Sequence, residues 1–405
     1  MITMQTGPQP ADFADVRATN LAVVLRHLRM HAPCSRADIA SATGLNKATV
    51  SSLVADLIDR RLVRETGLTE RRIGRPATML VLDGSPYAAI GMEVNADYMT
   101  VVALDLAGQR LLSWRRAFAG SSANPGQAAA SIAALAKRAV AKVEKEGRRA
   151  LGLTVGVPGL VSGDGMVRLA PNLRWHDVDL RSALRKALGD PPYPIEVEND
   201  ANLAVLAEQR YGGYATTANL IYLTGEVGIG AGIIAEGRLM RGERGFAGEF
   251  GHLLVDPGGP VCGCGRRGCL EALAGIGALV GRTLPDAGGT SPTELEPEVE
   301  EVVRRAKARD PKVLDALAET GRHLGHGVAT LANLLNPDVV VLGGYFVPLA
   351  PWLIPAAEAE LRARSIAPEA GGTRIVASTL DLGAAAAGGA ARVLDAIDSG
   401  RLPTP

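Results

Sequence analysis

An α/β body preceded by a helix-turn-helix module is the fold class that this 405-residue chain predicts. Three observations carry that expectation. Near the N-terminus two apolar-striped segments flank a glycine turn, and an arginine-rich stretch follows them. From Ala88 onward short β-branched runs alternate with helical patterns, as strands interleaved with helices do. Further along, one segment gathers three of the four cysteines with one of the six histidines. Lysine plus arginine equals aspartate plus glutamate, 43 against 43, so overall charge marks no nucleic-acid coat. No stretch reaches the ~18 uninterrupted apolar residues that a membrane span requires.

Asn20 to Met30 sets Leu21, Val24, Leu25 and Leu28 at helical spacing and predicts the first helix. Cys34, following Pro33, is expected in a loop with no chemical role. Ser35 can cap a second helix over Arg36–Thr43, which Gly44 ends. In the next segment Val50, Leu53, Val54, Leu57 and Ile58 form one apolar stripe. Asn46, Lys47, Thr49, Ser51 and Ser52 face outward at its start. Helix, glycine turn and helix is the helix-turn-helix pattern, and short polar side chains at the second helix's N-terminus suit a major-groove reader. Asn46, Lys47, Thr49 and Ser51 are therefore the candidate DNA contacts. Leu62–Glu65 and Met79–Leu82 read as a hairpin, or wing, whose Arg71 and Arg72 could touch phosphates or a minor groove. Residues 1–80 hold eleven basic against seven acidic side chains, and six of the eleven are arginines from Arg60 to Arg75. Small helical modules also serve as docking units, but the basic wing favours DNA. The module is expected over residues 15–82.

Three consecutive strands are expected at Ala88–Val94, Met99–Leu106 and Gln109–Phe118, then a long helix at Gln127–Glu146 and a buried strand at Leu151–Val155. Further strands are expected at Ile195–Glu198, Asn219–Leu223, Gly228–Ala235 and Val339–Leu342, with helices between. Residues 281–300, acidic and rich in glycine and proline, read as a surface loop entering a helix near Glu298. The body is expected over 86–400.

Within the body, residues 252–269 place His252, Cys262, Cys264 and Cys269 in eighteen positions. Thiolates and an imidazole at that density match a closed tetrahedral zinc site, and Cys262 and Cys264 stand too close for an ordinary disulfide. Small buried thiols in a turn are the alternative. Beside this loop stand Glu249, before it, and Glu271, after it. Carboxylates and an imidazole around one concavity suit a polyhydroxylated ligand, whether bound or transformed. Gly156-Val157-Pro158-Gly159 ends one strand, and Glu198-Asn199-Asp200-Ala201-Asn202 leaves another to open a helix. A carboxylate there can act as a base toward a hydroxyl, or merely cap the helix. Thr224 to Gly232 is a glycine-rich turn that could cradle phosphate or simply join two strands.

Together these motifs resemble the ROK family of repressors and sugar kinases. The likeness spans nearly the whole chain and rests on Gly156–Gly159, Glu198–Asn202, Gly225–Gly232, Gly248-Glu249-Phe250-Gly251-His252, the cysteines at 262, 264 and 269, and Leu342-Gly343-Gly344. It implies an actin-like, ribonuclease-H-like sugar-kinase fold of two lobes, with a sugar in the cleft between them. It also implies that Asn199, Asp200, Glu249, His252 and Glu271 line the sugar site. By the same resemblance Asp200 is the vestige of a catalytic base, and His252 ligates structural zinc through one ring nitrogen while presenting the other to a hydroxyl.

One departure separates this chain from the family's kinases. They carry an acidic residue and a Gly-Gly-Thr-Lys-like turn where ATP phosphates lie; here the stretch is Glu93-Val94-Asn95-Ala96-Asp97-Tyr98. Side chains replace both glycines, and Asp97 is expected to repel a polyphosphate by about 4 kcal/mol at ~4 Å and an effective dielectric near 20. The reading is therefore a non-enzymatic, sugar-responsive DNA-binding regulator, in repressor form, of carbohydrate metabolism genes. Expected partners are a near-palindromic operator, a sugar effector and a second copy of the chain (a homodimer or dimer of dimers), with no membrane. The first residues lack the apolar core of a signal peptide, and no disulfide framework is implied, so a cytoplasmic setting is expected. The alternative is an ATP-dependent, glucokinase-like sugar kinase with a DNA-binding extension; a sugar-signalled protein-docking scaffold is a more distant one.

Overall fold

A computed structural model describes residues 13–70, 77–120, 123–285, 295–380 and 382–403. The N-terminal elements are α1 (Phe13–His31), β1 (Cys34–Ser35), α2 (Arg36–Thr43), α3 (Lys47–Asp59), β2 (Val63–Glu70) and β3 (Ala77–Leu82), with the three strands antiparallel in the order β1-β3-β2. Ser35 and Asp38 form a reciprocal capping box at the start of α2, and Gly44 ends it in the left-handed region at φ 72°. Leu21, Val24, Leu25 and Leu28 of α1 are buried against Val50, Leu53, Val54 and Leu57 of α3 and Leu80 of β3. α1 starts earlier than its apolar period predicts; Val16 and Arg17, ahead of Leu21, are exposed. Cys34 is not in a loop. It pairs with Leu80 in β1, where burial pushes its thiol up to about 11 and leaves it inert.

The body is built from two sheets of one pattern. In the first lobe β4 (Tyr87–Val94), β5 (Tyr98–Asp105) and β6 (Arg110–Ala117) form an antiparallel meander. α4 (Pro125–Lys145) then crosses to β7 (Arg149–Val157), parallel to β4. A side sheet of β8 (Leu160–Val161), β9 (Met166–Ala170) and β10 (Trp175–Asp179) precedes α5 (Leu180–Leu188), and β11 (Ile195–Asn199) completes the order β11-β7-β4-β5-β6. α6 (Asp200–Tyr211) leads into the second lobe: β12 (Leu220–Gly225), β13 (Ile229–Ala235) and β14 (Arg238–Leu239) as a meander, then α7 (Leu270–Ala274), α8 (Ile276–Thr283), α9 (Leu295–Lys307) and α10 (Pro311–Leu335). β15 (Val339–Gly344), α11 (Phe346–Arg364), α12 (Pro368–Gly371), β16 (Arg374–Ala377) and α13 (Ala384–Asp398) follow, giving the order β14-β13-β12-β15-β16. The loop expected over 281–300 is partly helix: α8 runs to Thr283, buried beneath α10, and α9 begins at Leu295.

Strand register sets up the cleft. Gly156 at the end of β7 pairs with Glu93 of β4 on one side and Glu198 of β11 on the other. Gly225 of β12 pairs with Gly344 of β15 in the second lobe. The carboxyl ends of parallel strands are where open α/β sheets present their loops to ligands. α6 and α13 pack together between the sheets. A Cβ on Gly388 would overlap the carbonyl oxygen of Leu203, and one on Gly91 would overlap that of Ala386, so these backbones are in direct contact. The apolar cluster of the N-terminal helices runs on without a break into Leu104, Leu106, Ala390, Leu394 and Ile397 of the body.

Candidate functional site

His252, Cys262, Cys264 and Cys269 come together at the second lobe's edge of the cleft, with all four ligand atoms within 4.8 Å of one another. His252 Nδ1 lies 3.7 Å from Cys262 Sγ, and Cys264 Sγ lies 3.7 Å from Cys269 Sγ. Sulfurs at ~2.3 Å from a tetrahedral zinc stand about 3.8 Å apart, so the donor set fits that ion. Backbone bonds from Cys262 N to Arg266 O and from Gly265 N to Cys262 O fold the loop around the cluster. The Arg266 backbone N–H draws the Cys264 thiol down to about 6, while burial pushes Cys262 up to about 12. An incoming cation must therefore displace a proton from Cys262, which makes metal affinity pH-dependent.

His252 and Cys264 of this cluster form one wall of a polar cavity of about 130 Å³. Asn199, Asp200, Glu249, His252 and Glu271 all line it, together with Asn95, Asn172 and Glu226. Asn199 is the N-cap of α6: its Oδ1 accepts from Asn202 N at 2.9 Å, and its Nδ2 donates to Gly159 O at 3.0 Å. Asp200 Oδ1 accepts from Ala201 N at 2.8 Å, and burial, reinforced by the charge of Glu249, lifts its carboxyl to about 6. Burial also raises Glu249. Glu271 reaches both sites. Its Oε2 accepts from Ile229 N at 3.2 Å and its Oε1 from Cys262 Sγ at 3.7 Å. Arg174 and Arg244 do not line this cavity; Arg244 lines a separate hollow together with Glu198 and Arg241.

Beyond Asp200 the cleft narrows between Glu93, Thr224, Glu226 and Gly344. Tyr98 Oη donates to Glu93 Oε1 at 2.9 Å, and Asn95 Nδ2 donates to Glu226 Oε2 at 3.1 Å. Glu93 Oε2 has no partner among the described residues. Burial raises both carboxyls, and the neighbouring acid raises each further: Asp200 for Glu93, and Glu93 for Glu226. The sequence reading missed Glu226, although an acid at the tip of a glycine turn considered for phosphate was the available signal. Asp97 is half-buried, and the Arg115 guanidinium, stacked 4.0 Å over Tyr98 and bonded to Tyr345 Oη at 3.1 Å, opposes its charge. Burial thus favours the uncharged form of Glu93 and Glu226 at neutral pH.

In the N-terminal module Asn46 caps α3, its Oδ1 accepting from Thr49 N at 2.8 Å, and Ser51 Oγ donates to Lys47 O at 2.9 Å. Asn46, Lys47 and Ser51 are exposed on the first turns of α3 and Thr49 is half-exposed. Arg71 and Arg72 lie outside the described residues. No described helix is long and apolar enough to cross a membrane.

Comparison with known proteins agrees with this arrangement. Residues 22–72 match the MarR family and residues 89–396 match the ROK family. The xylose repressor of Bacillus subtilis (strain 168) is 30% identical over 385 residues, covering 95% of this chain and 97% of that protein. Among solved structures, a ROK family transcriptional regulator, a homolog of the E. coli MLC protein, superposes with a TM-score of 0.80 at 26% identity over 96% of this chain and 98% of that one. A ROK family glucokinase from Streptomyces griseus, in complex with glucose and AMPPNP, gives 0.63 at 28% identity over 75% of this chain and 98% of its own. The chain therefore belongs to the ROK family, with a MarR-type winged helix ahead of its sugar-kinase-like body.

Proposed function

We propose that this protein is a sugar-responsive, DNA-binding transcriptional repressor of carbohydrate metabolism genes. The observation that carries the reading is the single polar cavity on which Asn199, Asp200, Glu249, His252 and Glu271 meet. Its walls offer acceptors on Asp200, Glu249 and Glu271, an amide on Asn199 and the second ring nitrogen of His252. Among the described residues no arginine lines the cavity, which favours an uncharged sugar over a sugar phosphate. D-xylose is the first effector to test, given the name of the Bacillus relative. His252, Cys262, Cys264 and Cys269 would hold a structural zinc, which would fix the ring of His252 at the cavity wall.

The chain acts as a sensor, not an enzyme. A polyphosphate entering the cleft would meet the side chains of Asn95 and Ala96 where glycines would admit it, and the like charge of Asp97, an encounter that opposes binding by about 4 kcal/mol at ~4 Å and an effective dielectric of 20. Asp200, once a base, then serves as a hydrogen-bond acceptor. The residue 15–82 module reads DNA through Asn46, Lys47, Thr49 and Ser51, with Arg71 and Arg72 on phosphates, and residues 86–400 form the sensing body. A cytoplasmic homodimer, or a dimer of dimers, would place two heads on a near-palindromic operator. A tenfold change in operator affinity needs about 1.4 kcal/mol of differential sugar binding, within reach of a few hydroxyl hydrogen bonds made in one lobe arrangement only.

The glucokinase likeness favours a second reading, an ATP-dependent sugar kinase with a DNA-binding extension. Two assays separate them. Mobility shift of DNA upstream of the protein's own gene, with D-xylose, D-glucose and N-acetyl-D-glucosamine added in turn, should show sugar-dependent release. A coupled ADP-release assay on the same sugars should stay at background, and steady turnover would defeat the repressor reading.

A further inference from the structure

The winged helix is held to the body by more than apolar packing. Arg29 on α1 donates from Nε to Asp398 Oδ2 at 2.5 Å and from Nη2 to Asp398 Oδ1 at 2.8 Å, a two-pronged pair. Its third donor, Nη1, reaches Leu106 O at 2.7 Å. Asp398 Oδ2 also accepts from Arg210 Nη2 at 3.3 Å, and Arg210 Nη1 bonds Asp395. Asp398 and Asp395 stand on α13, while Arg210 ends α6, the helix whose first residue is Asp200 on the cavity wall. Arg29 and Asp398 have side chains only 13% and 12% exposed, and Arg210 only 17%. Three elements therefore meet at one shielded carboxylate.

The geometry points to the Arg29–Asp398–Arg210–Asp395 cluster as the joint through which the sugar cavity sets the winged helix. This inference rests on the repressor reading above. α6 is a rigid rod of twelve residues, roughly 18 Å at 1.5 Å per residue. Its first turn belongs to the cavity through Asn199 and Asp200, and its last turn carries Arg210. Direct backbone contact at Gly388 leaves α13 no room to slide independently of α6. A small tilt of α6 as the cavity closes on a sugar is thus delivered to Asp398. There the forked Arg29 pair leaves α1 two discrete options: follow, or lose a shielded ion pair. Bonds from Arg60 Nη1 to Pro403 O at 3.1 Å and from Tyr87 Oη to Arg60 O at 2.8 Å fasten α3's end to the same face. They bypass α6, so they hold the head without reporting on the cavity.

Asp398→Asn tests this. The amide keeps the shape but removes the charge that Arg29 and Arg210 share. In the full-length protein, operator affinity without sugar and sugar affinity without DNA should stay within about twofold of wild type, as independent sites do. The ratio of operator affinities without and with sugar should fall from about tenfold or more to below about twofold. The sugar is the one of the three above that releases the wild-type protein. A purely structural role would lower stability and leave that ratio alone. Should Asp398→Asn fail to fold, Arg29→Lys is judged by the same ratio, because lysine keeps the charge but cannot grip both carboxylate oxygens. A wild-type ratio retained in the folded variant overturns the joint and spares the repressor reading. A wild-type protein whose operator binding ignores all three sugars overturns both.

Discussion

Asp200→Asn should stabilise the protein at neutral pH and blind it to sugar at the same time. Asp200 is 9% exposed, and burial lifts its carboxyl to about 6 from an ordinary value of 3.8. A folded-state value above the unfolded one means that ionised Asp200 opposes folding. That cost is full above about pH 6, fades as pH falls, and is nearly gone below about pH 4, where both states hold the proton. About two pH units at 1.36 kcal/mol each makes it about 3 kcal/mol. Asparagine keeps the acceptor for Ala201 N and carries no charge, so most of that cost should be recovered at pH 8 and little of it at pH 4. Losing a charge-assisted bond to a sugar hydroxyl should cost about 1.5–3 kcal/mol, a weakening of roughly ten- to a hundredfold. Denaturant melts at pH 4, 6 and 8 and calorimetric titration of the effector sugar measure both. A variant that gains no stability between pH 4 and 8, or that binds sugar as wild type does, would refute the reasoning.

Cys264→Ser should lower bound zinc and weaken the sugar response, since His252 belongs to both the candidate metal cluster and the cavity; elemental analysis showing undiminished zinc would remove that link. Gly388→Ala puts a methyl group into the Leu203 carbonyl and should destabilise by about 1–3 kcal/mol, read as a lowered denaturation midpoint. Asn46→Ala removes the cap of α3 and should cost about 1 kcal/mol of head stability, with weaker operator binding in fluorescence anisotropy and unchanged sugar affinity.

What the sequence revealed was local. Ser35, Asp38 and Gly44 delimit α2 because capping is settled within a few residues of chain. The His/Cys cluster was legible because its four residues lie within eighteen positions, and the five cavity residues through the motifs that resemble the ROK family. What it concealed was set by distant pairing. Asn95 and Glu226 are 131 residues apart, and nothing near either one says that they close the cleft together. Arg29 and Asp398, 369 residues apart, look like ordinary surface charges on two amphipathic helices. Cys34 misled because a two-residue strand has no period to read, and the start of α1 was hidden because Val16, Arg17 and Thr19, ahead of Leu21, are exposed and extend no stripe.

Calorimetric titration of a magnesium-bound, non-hydrolysable ATP analogue into sugar-saturated protein tests most directly whether the cleft senses rather than catalyses. With Asn95, Ala96 and Asp97 on the turn that phosphates would approach, no binding should be detected up to millimolar nucleotide. Micromolar binding would contradict the account and restore phosphoryl transfer as the function of the cleft.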